Sequence, residues 1–143
     1  MPKIKLSSSL EDYLETIYNF LQDNEKIRAV DISRELNVSR ASVTEALQKL
    51  SEMNLVNYGR YEHLSLTEEG KNYAEEVINK HESIQKFFEK ILGADYEEAC
   101  ETACKMEHVI SEDILERLVS FTEFTELHPE TYQEFEQFYK ERK

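Results

Sequence analysis

Residues 27–53, which read IRAVDISRELNVSRASVTEALQKLSEM, decide the fold of this chain. An apolar stripe at helical spacing predicts a short helix that ends near Leu36. Asn37 suits a left-handed turn, because its short polar side chain tolerates that backbone conformation. Ser39 is a good N-cap for a second helix with an apolar stripe of its own. Two short helices joined by a tight turn predict a helix-turn-helix.

The second helix of this pair has a polar face opposite its apolar stripe. Short polar groups and long hydrogen-bond donors suit base edges and phosphates better than they suit a protein core. We therefore predict that this helix contacts DNA. The candidate DNA-binding residues at its start and along its polar face are Ser39, Arg40, Ser42, Thr44, Gln48 and Lys49.

The sequence period changes after the second helix. Residues 55–58 and 63–66 are short β-type runs that flank a turn containing Gly59. A hairpin directly after a helix-turn-helix predicts a winged helix. Arg60 and Tyr61, at the tip of this wing, are candidate contacts to the phosphate backbone, and an ordinary exposed turn is the alternative for them.

The segments around the winged helix are also predicted to be helical. The first helix follows Ser7-Ser8-Ser9 and runs to about Asp23, and a long helix is expected between Thr67 and Gly93. Further helices are expected from Tyr96 to about Ile110, from Ser111 onward, and after Pro129.

The apolar stripes of the last three helices are too hydrophobic for a surface exposed to water. We therefore predict that these helices pack in a homodimer. The predicted fold class is therefore mostly α, with an N-terminal winged helix-turn-helix carrying a small β-hairpin wing. This DNA-binding domain is assigned to residues 1–70. An all-α metal-binding and dimerisation domain is assigned to residues 71–143.

Charge is distributed unevenly along the 143 residues, whose net charge is −13. Residues 1–66 carry 8 Lys/Arg against 10 Asp/Glu, whereas residues 67–143 carry 9 against 20. The first half therefore stays available for an anion such as DNA, and the acidic second half favours a cation. The sequence has no apolar run of membrane-spanning length and no signal-peptide pattern. Two cysteines four residues apart then favour a cytoplasmic protein with reduced thiols.

Cys104, Glu107 and His108 are spaced i, i+3 and i+4, which places them on one face if the helix is continuous. A thiolate, a carboxylate and an imidazole form half of a coordination shell for a transition metal. Spacing alone leaves both a metal site and ordinary packing open. Taken singly, Asp12 and Glu15 are also explained as acids near a helix N-terminus, and His81 as a part-buried core histidine.

The chain resembles the metal-dependent repressors that include the diphtheria toxin repressor and the manganese transport regulator. The resemblance covers essentially the whole chain, and its motifs are specific when taken together. It implies the short two-domain form, without the additional SH3-like domain of the toxin-repressor branch. It rests on residues 10–18 (LEDYLETIY), the helix-turn-helix, and residues 64–70 (LSLTEEG), 79–82 (NKHE) and 103–111 (ACKMEHVIS).

The resemblance also implies a metal site between the first helix and the second domain. Asp12 and Glu15 match the first-helix ligands of the manganese type, and His81 matches the histidine of the long helix. Glu107 and His108 match ligands of both branches. The implied ligand set is Asp12, Glu15, His81, Cys104, Glu107 and His108.

Each of the two cysteines differs from the residue that one branch of the family has at the same position. Cys104 stands where the manganese type has a carboxylate, and it agrees with the toxin-repressor type. Cys100 and Gln85 stand where the iron-type branch has the His and Glu of an ancillary site. That difference argues against a separate ancillary site of the usual kind.

The expected function is therefore a metal-dependent, DNA-binding transcriptional repressor and not an enzyme. One or two Fe²⁺ or Mn²⁺ ions per protomer are expected to favour binding to double-stranded operator DNA and so to repress metal-uptake genes. The alternatives are a metal-independent winged-helix regulator and a thiol redox-sensing regulator that uses Cys100 and Cys104. A metallohydrolase is the remaining alternative, but no His-Glu-x-x-His or Gly-rich phosphate loop is present.

Overall fold

The computed structural model describes residues 4–24, 26–59 and 62–143, and the chain divides into two units, Met1–Ile78 and Asn79–Lys143. Within the described ranges the protein is mostly helical with one two-stranded sheet, so the predicted fold class is confirmed. The elements in chain order are α1 (Ser8–Asp23), α2 (Ala29–Leu36), α3 (Arg40–Glu52), β1 (Val56–Gly59), β2 (Glu62–Leu66), α4 (Glu68–Lys86), α5 (Tyr96–Met106), α6 (Glu112–Leu127) and α7 (Pro129–Glu141).

The helix-turn-helix forms as its sequence predicts. Asn37 ends α2 in the left-handed region, with φ 54° and ψ 52°. Ser39 caps α3, and its hydroxyl oxygen accepts a hydrogen bond from the backbone N–H of Ser42 at 3.1 Å. These two residues turn the chain sharply between α2 and α3 and so set the direction in which α3 leaves the turn.

The core of the first unit holds α3 by its apolar face. The side chains of Leu47 and Leu50 on α3 and of Ile32 on α2 are fully buried, as are Leu14 and Ile17 on α1. Burying a side chain of this size contributes about 1.5–3 kcal/mol relative to leaving it in water. Because the apolar face is committed to this core, the polar face of α3 is left on the surface.

Strands β1 and β2 form the predicted antiparallel wing. Val56 lies opposite Leu66 and Asn57 opposite Ser65, and the register is irregular between Asn57 and Gly59. Arg60 and Tyr61, which we predicted to contact phosphates from the tip of the wing, lie outside the described residues.

Thr67 and Gly70 join the wing to α4. The Thr67 hydroxyl lies 2.8 Å from the carbonyl oxygen of Asn54 and accepts a hydrogen bond from the Gly70 N–H at 2.9 Å. A Cβ atom added to Gly70 would lie 1.9 Å from the carbonyl oxygen of Leu55. Only glycine therefore allows the first turn of α4 to approach the backbone of Leu55, just before β1, this closely.

The sequence predicted one long helix between Thr67 and Gly93. In the structure this helix is not regular over the whole range. Helix α4 ends at Lys86, and Phe87–Ile91 form a π-helical turn. The N–H of Leu92 bonds the carbonyl of Phe87 at 3.2 Å across this widened turn. Gly93 then leaves the helix with φ 72°, a conformation that glycine adopts without strain.

Helix α5 ends at Met106 and not at Ile110, so the prediction of a longer helix was wrong. The N–H groups of Val109 and Ile110 both bond the Met106 carbonyl, at 3.0 and 2.9 Å, and thereby tighten the chain into a turn. Ser111 is extended, with φ −75° and ψ 158°, because it caps α6. A capping residue of this conformation cannot continue the preceding helix.

Helices α6 and α7 leave large apolar side chains in contact with solvent in the second unit. Leu127 is 78% exposed and Phe138 is 56% exposed. Ile114, Phe121 and Phe124 are also exposed. Exposed apolar groups at this density are typical of a surface that another protein chain covers. No helix in the described ranges combines the length and the apolar character needed to cross a lipid bilayer.

We predict that Gly70→Ala destabilises the protein by about 1–3 kcal/mol, because the new Cβ must displace the backbone of Leu55. Helix propensity by itself predicts the opposite sign, since alanine favours a helix over glycine by about 1 kcal/mol. Urea unfolding of both proteins measures the difference. A stability equal to or above that of the wild type would contradict the close approach at Leu55.

Candidate metal centre and nucleic-acid interface

Glu107, just after α5, is a carboxylate that is only 3% exposed. Its Oε2 atom lies 2.9 Å from Nδ1 of His81 on α4, and its Oε1 atom lies 3.5 Å from Nε2 of His108. Burying an ionised carboxylate costs several kcal/mol unless a partner compensates for the lost water. The second unit therefore brings together a carboxylate and two imidazoles, which are three of the predicted ligands.

The Oε2 atom of Glu107 accepts no hydrogen bond from the described residues, although Nδ1 of His81 lies 2.9 Å away. Glu11 in the first unit, at 2% exposure, is a useful comparison. It accepts a hydrogen bond from the Tyr73 hydroxyl at 2.8 Å, and Lys5 lies 3.8 Å away. Burial, together with this bond to Glu11, raises the pKa of Tyr73 to about 12. Protein groups thus compensate for the burial of the Glu11 carboxylate. Glu107, in contrast, keeps one carboxylate oxygen that a cation could bind.

The donor set around Glu107 fits a divalent transition metal. Imidazole nitrogens and carboxylate oxygens are ligands that Mn²⁺, Fe²⁺ and Zn²⁺ share. A buried carboxylate oxygen without a hydrogen bond is rare in a folded protein and calls for an explanation such as an ion. Glu107, His81 and His108 would hold that ion within the second unit.

The other ring nitrogen of His81 faces different groups. Its Nε2 atom lies 2.9 Å from Oε1 of Gln85 and 3.8 Å from Sγ of Cys100. The side chain of Gln85 in turn donates a hydrogen bond to Oε2 of Glu89 at 3.2 Å. His81 is therefore placed between a carboxylate on its Nδ1 side and a thiol on its Nε2 side.

Cys104 is exposed and lies on α5 with Cys100, four residues earlier. One donor atom from each of His81, Cys100 and Cys104 lies within 4.8 Å of the others. The sequence spacing grouped Cys104 with Glu107 and His108, but α5 ends between them. Sequence reasoning missed Cys100 as a possible ligand, although its spacing from Cys104 on one helical face was a usable signal.

Asp12 and Glu15 lie on α1 in the first unit, and both are half-buried. They are three residues apart, so their side chains share a face of that helix. Their role as ligands to an ion shared with the second unit stays a prediction.

The six predicted DNA-binding residues at Ser39 and along α3 are all exposed. The Thr44 hydroxyl donates to the carbonyl of Arg40 at 3.0 Å, which occupies its hydrogen. The Nζ atom of Lys49 lies 3.4 Å from Oε1 of Glu45, one turn earlier on the same helix. The surface is polar and accessible, and one of its two cationic side chains already has an acidic neighbour.

Two family models match the chain in succession. Residues 5–64 match the iron dependent repressor, N-terminal DNA binding domain. Residues 67–136 match the iron dependent repressor, metal binding and dimerisation domain.

Curated and solved relatives agree with these matches. An uncharacterized HTH-type transcriptional regulator of Methanocaldococcus jannaschii is 41% identical over 82% of this chain and 95% of its own length. The HTH-type transcriptional regulator MntR of Shouchella clausii is 34% identical over 81% of this chain and 80% of its own length. A solved manganese-dependent transcriptional repressor in complex with manganese is 25% identical, with a TM-score of 0.73 over 80% of this chain. The chain spans about half, 53%, of that solved structure.

We predict that Mn²⁺ raises the thermal unfolding temperature of the wild type and that Glu107→Gln removes most of this gain. A ligand at a hundred times its Kd stabilises a folded protein by about 2.7 kcal/mol, and an amide is a much weaker metal ligand than a carboxylate. Thermal unfolding with a chelator and with Mn²⁺ measures both effects. Glu101→Gln, the same change at an exposed position of α5, is the control and should keep the full gain. An undiminished Mn²⁺ response in Glu107→Gln would place the ion elsewhere.

Proposed function

Since this chain belongs to the iron dependent repressor family, we propose that it is a transcriptional repressor whose binding to operator DNA depends on a divalent metal ion. Members of this family are DNA-binding regulators and not enzymes, so the metallohydrolase alternative is dropped. The observation that carries the proposal is the buried Glu107 carboxylate with His81 and His108 beside it. The site of action that we propose is operator DNA in the cytoplasm.

We propose that Asp12, Glu15, His81, Cys104, Glu107 and His108 supply the ligands. The two acids come from α1, which packs in the same core as the DNA-reading helix α3. The other four residues lie on α4, on α5 and just after α5. What supports this set is the family membership together with the donor atoms that the second unit gathers around Glu107.

The proposed dependence of DNA binding on metal follows from repulsion between carboxylates. Carboxylates that share one pocket repel each other, so Asp12 and Glu15 disfavour an approach to Glu107. A divalent cation supplies the positive charge that reverses this repulsion. An ion bound by ligands from both units would then restrict the position of α3 in each protomer of the proposed homodimer.

The restriction matters because dimeric helix-turn-helix proteins read half-sites about 34 Å apart on B-DNA. A metal that binds the DNA-competent arrangement more tightly shifts the population toward it. A coupling of about 1–3 kcal/mol changes DNA affinity roughly 5- to 150-fold. We propose metal-uptake genes as the targets, because repressing uptake when the ion is plentiful closes a regulatory loop.

The physiological ion that we propose is Fe²⁺ or Mn²⁺. Carboxylates from α1 and Glu107 favour Mn²⁺, whereas the Cys104 thiolate and the imidazoles favour Fe²⁺. The relatives support a divalent metal in general, since one solved neighbour contains manganese and another Zn²⁺. Elemental analysis of protein purified without oxygen identifies the ion that the protein carries.

Metal-stimulated DNA binding tests the proposal directly. We expect the wild type to bind promoter DNA weakly with a chelator and 5- to 150-fold more tightly with Mn²⁺ or Fe²⁺, on the order of the coupling given above. Fluorescence anisotropy with labelled DNA measures both affinities at fixed ionic strength. Equal affinity in both conditions would favour the metal-independent regulator. Binding lost on mild oxidation of metal-free protein and restored by reductant would favour the redox-sensing regulator.

We predict that Arg40→Ala weakens DNA binding and lowers the slope of log affinity against log salt by about 1, because one phosphate contact is lost. Mn²⁺ affinity, measured by calorimetry, should stay the same. Arg117→Ala is the control, since it removes another exposed arginine, from α6 in the second unit. An unchanged salt slope in Arg40→Ala would contradict the assignment of this helix to the DNA interface.

A further inference from the structure

Tyr73, near the start of α4, binds the beginning of α1 through its hydroxyl group. The hydroxyl accepts a hydrogen bond from the backbone N–H of Leu6 at 2.9 Å and donates one to Oε2 of Glu11 at 2.8 Å. Leu6 lies just before α1, and Glu11 lies in the first turn of that helix. One side chain of α4 therefore holds the chain on both sides of the point where α1 begins.

Both ends of the bond between Tyr73 and Glu11 are well anchored. Gly70, one turn before Tyr73, lies against the backbone that precedes β1, and Ala74, the next residue, is fully buried. Glu11 is only 2% exposed. Breaking a hydrogen bond to a carboxylate at such a depth is costly, because the carboxylate loses a donor without regaining water.

Asp12, the residue after Glu11, is one of the ligands that we propose on α1. The first turn of a helix frays most readily, because its N–H groups lack acceptors within the helix. The buried apolar side chains of α1 begin at Tyr13, beyond Asp12. Glu11 extends the anchoring of α1 into the first turn and so limits the movement of the segment that carries Asp12.

We propose that Tyr73 is a positioning residue for the metal site, whose bond to Glu11 holds the first turn of α1 so that Asp12 is in place before an ion binds. A ligand that is already in place loses less conformational freedom on binding, so the affinity for the ion rises. The inference rests on the proposed function, because it takes Asp12 as a ligand. Glu11 acts in it through Tyr73 and does not bind the ion.

A second tyrosine–glutamate bond joins the same two helices and offers a matched control. The Tyr18 hydroxyl donates to Oε1 of Glu75 at 3.1 Å, and this bond is exposed to water. Tyr18 follows the last of the buried residues of α1 and is remote from the first turn. Loss of its hydroxyl should therefore leave the position of Asp12 unchanged.

Tyr73→Phe tests the proposal, because it keeps the aromatic ring and removes the hydroxyl. We expect the Mn²⁺ concentration that gives half-maximal DNA binding to rise about 5- to 10-fold, the effect of one lost hydrogen bond. At saturating Mn²⁺ the variant should bind DNA as tightly as the wild type, because all of its ligands are present. Fluorescence anisotropy with labelled DNA measures both quantities, and Tyr18→Phe should match the wild type in both.

A purely structural role for Tyr73 predicts a different result. The measurements are made at a temperature where circular dichroism shows all the proteins to be fully folded, so that a loss of stability alone does not shift the half-maximal Mn²⁺ concentration. An unchanged half-maximal concentration in Tyr73→Phe would overturn the proposal. Weaker DNA binding at saturating Mn²⁺, or an equal shift in Tyr18→Phe, would overturn it as well.

Hydrogen exchange in the metal-free wild type gives an answer that does not depend on any variant folding. The amide of Leu6 should exchange slowly, because it donates to the Tyr73 hydroxyl. The amide of Glu11, which donates to the carbonyl of Ser7 at 3.0 Å, should also be protected. Exchange of either amide at the rate of an unfolded chain would mean that the first turn is not held before metal binds, and the proposal would be wrong.

The positioning role and the proposed function are distinguished by the wild type. If wild-type DNA binding does not respond to Mn²⁺, the proposed function fails and the positioning role fails with it. If the wild type responds and Tyr73→Phe responds at the same Mn²⁺ concentration, only the positioning role fails.

Discussion

A buried carboxylate needs compensation, and this constraint organises the second unit. Glu107 is 3% exposed and lies where α5 ends, with an imidazole within 3.5 Å of each oxygen. In water the charge would be solvated, but here the protein must supply the partners. Glu11 shows how the same chain treats a structural acid, because a tyrosine hydroxyl donates to it at 2.8 Å. The different treatment of these two equally buried glutamates supports the proposal that Glu107, unlike Glu11, is a metal ligand.

The sequence predicted the first unit well because its signals are local. Asn37 and Ser39 set the turn through their own backbone and capping preferences, and the apolar stripes set which faces are buried. The end of α5 was predicted less well. The sequence pattern alone extended the helix to Ile110, whereas the cap at Ser111 ended it at Met106. Helix ends depend on competition between neighbouring caps, which a periodic pattern does not report.

The predicted metal ligands show the same division between local and tertiary information. Glu107 and His108 were expected from their spacing, but the contact between Glu107 and His81 joins residues 26 positions apart and depends on how α4 and α5 pack. The contact between Cys100 and His81 was not predicted, for a related reason. The resemblance to known repressors pointed to a histidine at that position, and only the packing of α5 beside α4 brings its sulfur to His81.

The pair between Glu45 and Lys49 on α3 has a consequence for the time that the protein spends away from its operator. In the proposed DNA complex, a phosphate that binds Lys49 competes with the Glu45 carboxylate, at a cost of up to about 0.3–0.5 kcal/mol for a pair of this kind. The proposed homodimer would meet that cost twice on any DNA, whatever its sequence. Helix α3 would therefore carry its own competitor for the phosphate, which would shorten the residence of the protein on DNA outside its operator.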